Sequence, residues 1–250
     1  MKLEVLICTT AGRLSKIDPK GLPQIDGVAY VVSCQNPENR SLDSDARSLI
    51  GSRRDISVHF FENTGLSRNR NNALSLARAP YIHIADDDIA FNADGLRREI
   101  SLFDSDPELD LIASRSEMPE ARSYPPDGHD LSVPFRCYWT ISFEIAVRRS
   151  ALLRAGLRFT ELAGIGAPYL ASGEEDLFIH SALTAGLKGR FSDVVVAIHP
   201  DYTTGVREAS RPGVIRAKGA VQWITLGPVK ALVRFPLEAH RAPVAFHKAL

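Results

Sequence analysis

Apolar runs of strand length punctuate the first third of the chain. Leu3 to Thr10 (LEVLICTT) is rich in Val, Ile and Thr and stops at Ala11-Gly12, and VAYVVSCQ at 28–35 and ISVHFFEN at 56–63 repeat the pattern. Near-continuous runs of this kind predict strands buried on both faces, and their spacing predicts a mostly parallel sheet with crossovers of helix or loop size. The first crossover is irregular, broken by Pro19, Gly21, Pro23 and Gly27. Next, GLSRNRNNALSLARAP sets Ala73, Leu74 and Ala77 at helical spacing behind Ser67, a candidate cap, with Pro80 closing the segment. YIHIA at 81–85 predicts a fourth strand, and the chain turns acidic where that strand runs out.

Further on, residues 94–105 and the segment from Glu174 to Ala185 predict helices, and RSALLRAG predicts a short one closed by Gly156. Strands are predicted at 109–116, 141–149 and 191–200, the last carrying His199 near its end. EMPEARSYPPDGHDLSVP at 117–134 reads as a loop over one face of the site, and DYTTGVREASRPG at 201–213 as a second loop able to fold over a ligand. The alternation assigns the α/β class. It predicts one Rossmann-like domain over residues 1–213, and a basic, amphipathic helical extension over 214–250 that packs on the domain or lies at a membrane surface.

Composition narrows this little. The chain has 250 residues, enough for one large core, and its thirty basic and thirty acidic residues cancel, which gives no argument for nucleic acid as a partner. The charge is uneven, however: Arg211, Arg216, Lys218, Lys230, Arg234, Arg241 and Lys248 crowd the last forty residues. Cys8, Cys34 and Cys137 lack disulfide-framework or zinc spacing, and Cys8 and Cys34 read as reduced, buried thiols. The start runs straight into a strand, and no stretch approaches the roughly 18 apolar residues of a spanning helix. Both facts set the expectation of a cytoplasmic protein, at most peripheral to the inner face of the membrane.

Asp86-Asp87-Asp88 is the sharpest chemical feature. Adjacent carboxylates repel one another and need a cation or water to offset them, and at a strand end Asp86 and Asp88 turn one way and Asp87 the other. A hard divalent ion that keeps waters and touches phosphate suits such a site, beyond the carboxyl ends of the strands where α/β sheets bind ligands. Glu174-Glu175-Asp176 opens a helix. Ser172 with Glu175 fits a capping box, and Asp176 is assigned as a general base. His199 can supply an imidazole to the same metal, whereas His83 and His180 read as structural. Arg68, Asn69, Arg70, Asn71 and Asn72 crowd a helix start, where N–H groups and guanidinium bind phosphate.

Taken in order, Thr9-Thr10, GLSRNRNNAL, ADDD, FEIAVRRSALLRAGLRF and SGEEDLF resemble the GT-A-fold glycosyltransferases, especially the large inverting family 2, from residue 3 to about 200. The resemblance implies that Thr9 and Thr10 line the nucleotide-base pocket with Arg70 nearby. It implies that Asp86 approaches ribose or sugar as the first acid of the DxD motif, beside Asp87, while Asp88 and His199 hold Mn²⁺ or Mg²⁺. Glu175-Asp176 resembles the family's catalytic pair. Where many members hold uracil with an aspartate after the second strand, this chain offers Gln35, Asn36 and Glu38, so Asn36 takes the base-side position. The processive QxxRW motif is missing.

The resulting expectation is inverting, metal-dependent transfer from a nucleoside-diphosphate sugar, a UDP-sugar of galactose type first, to a saccharide or lipid-linked saccharide. Two rivals stay open: a nucleotidyltransferase or metal-dependent phosphohydrolase, which uses the same carboxylates and ion, and a noncatalytic saccharide-binding protein on the same fold.

Overall fold

The computed structural model describes residues 1–119, 121–135, 138–201, 208 and 211–233. Eight strands form one sheet in the order β3-β2-β1-β4-β7-β6-β8-β5. In chain order they are β1 (Leu3–Thr10), β2 (Val28–Gln35), β3 (Ile56–Phe61), β4 (Tyr81–Asp86), β5 (Ala90–Phe91), β6 (Leu111–Glu117), β7 (Ile145–Arg148) and β8 (Gly189–Ile198). The first four are mutually parallel; β7 is antiparallel to both β4 and β6, β8 runs parallel to β6, and β5 is antiparallel to β8. The sheet is therefore mixed, with its parallel half at the N-terminal side.

Helices cover both faces: α1 (Asp43–Ile50), α2 (Leu66–Leu76), α3 (Ala93–Ser105), α4 (Arg149–Ala155), α5 (Glu174–Thr184) and α6 (Pro212–Leu226). The period-two geometry of a strand explains the near-continuous apolar runs. Leu3, Val5 and Ile7 of β1 enter the layer that holds Leu49 of α1 and Leu96 and Phe103 of α3. Leu6 and Cys8 point the other way, into the layer of Ala73 from α2, Leu152 from α4 and Phe178 from α5. Cys8 and Cys34 are both free and buried, while Cys137 lies outside the described residues.

Two expectations are corrected at helix starts. Ser67 does not cap α2; Gly65 occupies that position at φ 101°, and the Ser67 hydroxyl instead donates to the Ala163 carbonyl at 2.5 Å. The Ser172–Glu175 capping box is absent, because Gly173 begins α5 without a side-chain cap. Gly173 has φ 86°, and a Cβ there would stand 2.6 Å from Cγ2 of Val221 on α6. Only glycine admits both that backbone and that approach.

The strand predicted over 141–149 is also divided. Ser142–Glu144 forms a 3-10 turn before the four residues of β7, and α4 begins directly at Arg149. The turn points Ser142 and Glu144 into polar networks that an extended strand could not serve together. Helix α1 and the two-residue β5 had no signal read for them, and α6 begins at Pro212, packing Val221 against Leu177 of α5 and Ala163. The remainder of the predicted extension, 234–250, lies outside the described residues, as does most of the predicted 201–213 loop.

Candidate active site

Strand register brings the acidic triplet to the loop after β1. Cys8 pairs with Asp86 across β1 and β4, so the loop beyond Thr10 faces the loop beyond Asp86. Arg13, in the first of these loops, donates from Nε to both oxygens of Asp87 at 2.9 Å and from Nη2 to Asp87 Oδ1 at 2.5 Å and Asp88 Oδ2 at 2.9 Å. Thr9 adds its hydroxyl to Asp87 Oδ2 at 2.5 Å, and the Thr9 carbonyl accepts from Asn69 at 2.8 Å. Asp87 is buried and fully engaged, whereas Asp86 and Asp88 keep part of their carboxylates at the surface.

Asp86 is fixed from two sides, by Ser142 Oγ at 2.9 Å and Arg70 Nη2 at 3.2 Å. Arg70 is 1% exposed and joins the triplet to the second acidic group, with Nη1 at 2.7 Å from Glu174 and 3.4 Å from Glu175. Burial opposes its charge, but the fields of Glu175, Asp86 and Glu174 outweigh that and hold the guanidinium ionised. Its ring partner is Phe159, at 5.3 Å. Around it, Asn69, Asn71 and Asn72 bond to Ser33, Phe159 and Asn63, and Arg68 pairs with Glu161. The polar start of α2, read from sequence as a phosphate site, thus braces the sheet edge from within.

The two candidate catalytic acids differ. Burial lifts Glu175 well above the ordinary carboxylate range, helped by the Glu174 charge and opposed by Arg70. Burial likewise lifts Asp176 to about 7, again aided by Glu174 and opposed by Arg122. A carboxylate poised there can take a proton from a hydroxyl near neutral pH more readily than one at its usual value.

Asp88 faces Arg13 and His199. Arg13 holds Oδ2, and His199 Nε2 lies 3.5 Å from Oδ1. The hydrogen bond with His199 keeps Asp88 below the usual range against its burial, and Asp88 in turn raises His199. Nδ1 of His199 lies 2.5 Å from the Asp201 carbonyl and 3.2 Å from the Asp201 N–H, and the ring stacks on Phe143 at 5.5 Å. In the tautomer that donates from Nδ1 to this carbonyl, Nε2, on the Asp88 side, is the nitrogen with a lone pair for a metal. Among the described residues no three His, Cys, Asp or Glu side chains converge on one ion. Asp88 and His199 make a two-donor set, which suits an ion completed by phosphate oxygens and water.

Thr10 is exposed at the end of β1, and Asn36 is buried at the end of β2, where its side chain bonds both backbone groups of Arg40 and closes the 36–40 turn. These two share the sheet edge with the acidic cluster but bond to none of it. Sequence reasoning missed Arg13 and Ser142, and gave Glu174 no role of its own within the acidic trio. Arg13 had a usable signal, a cation directly after β1 opposite three acids after β4; Ser142 had none.

Residues 42–150 match the family described as Glycosyl transferase family 2, and no curated protein matches the chain. Among solved structures, the chain is similar to S. aureus TarS 1–349 in complex with UDP-GlcNAc, at 16% identity over 88% of this chain and 65% of that one, with TM-score 0.65. The same TarS region in complex with UDP gives 17% identity over 88% and 64%, with TM-score 0.64. Mannosyltransferase PcManGT from Pyrobaculum calidifontis, in complex with GDP-Man and Mn²⁺, gives 16% identity over 88% and 63%, with TM-score 0.57. The chain spans just under two thirds of each of these relatives, and the likeness establishes a GT-A-like fold, with its mixed central sheet flanked by helices.

Proposed function

We propose that this protein is a glycosyltransferase that moves a sugar from a nucleoside diphosphate, UDP first, to a hydroxyl of a saccharide or lipid-linked saccharide, with inversion. The observation that carries the reading is the ion-paired chain Asp86–Arg70–Glu174/Glu175, which ties the strand-end acids to the helix that bears Asp176, the poised base. In this reading Asp176 takes the proton of the acceptor hydroxyl as its oxygen bonds to the anomeric carbon. The bond from that carbon to the diphosphate breaks, and the electron pair leaves with the diphosphate. Attack opposite the leaving group inverts the centre and needs no covalent nucleophile. Asp88 and His199 would hold Mn²⁺ or Mg²⁺; the ion, when bound, supplies charge neutralisation to the departing diphosphate. Arg13 keeps Asp88 turned toward His199, so one carboxylate oxygen remains for the ion.

The test is donor binding and turnover across UDP-galactose (pyranose and furanose), UDP-glucose, UDP-N-acetylglucosamine, dTDP-rhamnose and GDP-mannose, each with Mn²⁺ and with EDTA. The expected result is metal-dependent binding of one donor and release of its nucleotide, accelerated by a saccharide acceptor that keeps the intact sugar. Folded protein that binds none of these donors and neither UDP, GDP nor dTDP would falsify the assignment. Nucleotide release without glycoside formation in any acceptor mixture would point to phosphohydrolase chemistry instead.

A membrane-surface role belongs to the same proposal. Trp223, Ile224, Val229, Leu232 and Val233 are exposed large apolar side chains, and no Asp or Glu occurs from 209 to 237, a stretch that carries Arg211, Arg216, Lys218, Lys230 and Arg234. No helix among the described residues is long and apolar enough to cross a membrane. Apolar side chains among cations suit an anionic lipid surface. Co-sedimentation is expected with phosphatidylserine vesicles and not with phosphatidylcholine alone, and to weaken in high salt. Equal recovery with both vesicle types, or with neither, removes this part.

A further inference from the structure

A second buried ion pair lies outside the network described so far. Arg122 pairs with Glu144, their side chains 5% and 0% exposed. Glu144 Oε1 also accepts from the Tyr124 hydroxyl at 2.8 Å and Ser116 Oγ at 2.6 Å, and Oε2 accepts from the Ile141 N–H at 3.2 Å. The other arm of the Arg122 guanidinium donates to the Trp139 carbonyl. Its carbon lies 4.9 Å over the Tyr124 ring and 5.7 Å over that of Trp139. A guanidinium so placed is a costly structural element, since breaking a buried pair leaves an uncompensated charge. What this one holds in place is an indole that remains 52% exposed.

The neighbours of that indole in the chain fix its position. Thr140 is buried, Ser142 donates to Asp86, and Phe143 stacks on His199. Three residues of backbone span at most about 10 Å, so the Trp139 backbone lies within about 10 Å of Ser142, the residue that holds Asp86. The Arg122 field also reaches Asp176, the base that must face the acceptor hydroxyl. A flat aromatic ring on a half-exposed residue, with its backbone carbonyl held by an Arg122 hydrogen bond and its ring by cation–π contact, matches the apolar C–H face of a pyranose, whose hydroxyls stay at the rim in water.

We propose that Trp139 is the platform on which a sugar ring of the acceptor lies, kept in place by the Arg122–Glu144 pair. The inference rests on the transferase reading and adds where the acceptor binds. Its chemistry selects acceptors with an unhindered pyranose face over simple polyols.

The chain has two tryptophans, so Trp223→Phe leaves Trp139 as the sole indole reporter. With UDP and Mn²⁺ present and then absent, this variant is titrated with methyl β-D-galactopyranoside, methyl β-D-glucopyranoside and methyl α-D-mannopyranoside, with glycerol as the control polyol. A saturable change in emission is expected from at least one glycoside and none from glycerol. In the otherwise unchanged chain, Trp139→Ala is expected to raise the KM for a glycoside acceptor on the order of tenfold, the loss of about one aromatic contact. UDP affinity stays as it was, and Trp139→Phe recovers most of the loss. Emission unmoved by all three glycosides, or an acceptor KM unchanged in Trp139→Ala, overturns the platform. A glycoside signal from protein that binds no UDP retains the platform and removes the transferase reading, so the two fail separately.

Discussion

Asp176→Asn is expected to bind donor normally and to lose sugar transfer by roughly 10²- to 10⁴-fold, the span that a positioned general base contributes. Asparagine keeps the shape and the burial but cannot take a proton. The loss therefore falls on kcat for transfer, with nucleotide affinity within a factor of about two. The same residue sets a pH profile. Because burial holds Asp176 near 7, the carboxylate needed for attack is depleted below that value, and transfer by the natural chain should rise with pH through about 7 and level above it. The sign for stability is the reverse. A carboxyl raised in the folded state binds its proton more tightly there than in the unfolded chain, so its contribution falls as pH climbs from the ordinary aspartate range through about 7. Asp176→Asn removes that penalty and should melt higher than the natural chain at about pH 8, with the difference shrinking toward about pH 4. Kinetics and thermal melts on the same two proteins check both. An Asp176→Asn protein that transfers sugar at the natural rate would return the base to another residue.

The sequence made the sheet legible for a physical reason. Strands of a doubly covered sheet must be apolar on both faces, and the runs read at 3–10, 28–35, 56–63 and 81–85 fall on Leu3–Thr10, Val28–Gln35, Ile56–Phe61 and Tyr81–Asp86. The strand that was misread departs from this pattern. Residues 141–149 alternate well enough for a strand, but Ser142 and Glu144 are buried polar groups with partners far along the chain, and the turn that serves them interrupts the extension. The acidic groups at 86–88 and 174–176 were visible because like charges in sequence demand a compensating partner. Which partner was not visible: Arg13 and Arg70 are 73 and 16 residues from Asp86, and only strand register and helix packing decide that one clamps Asp87 and Asp88 while the other bridges Asp86 to Glu174. The run SRNRNN read as a phosphate-binding helix start because composition carries no direction. In the folded chain Ser67, Asn69, Arg70 and Asn71 are all buried, each bonded to a group far along the chain.

Arg70→Met is expected to cost about 3–5 kcal/mol of folding stability, because it strands the acids around a buried charge. The guanidinium faces Glu174 and Glu175 with one nitrogen and Asp86 with the other, so its removal leaves three carboxylates crowded at the sheet edge without a cation. Two of them, Glu174 and Glu175, have side chains 4% and 16% exposed and cannot turn to water without moving the start of α5. Glu175, already lifted by burial, can be relieved by a proton instead, so the deficit relative to the natural chain should narrow from about pH 8 to about pH 5 in urea melts. A lost apolar contact would give a deficit that pH does not move. Arg70→Lys separates charge from geometry. A lysine restores one positive charge but not a rigid fork with donors on two sides, and is expected to recover stability only in part. Donor affinity should follow Asp86, which would keep Ser142 as its single anchor. If Arg70→Met instead unfolds at the natural urea midpoint at every pH, the bridge between the two acidic groups contributes nothing to the fold, and the link from strand-end acids to the base would have to run through Ser142 and the 142–144 turn alone.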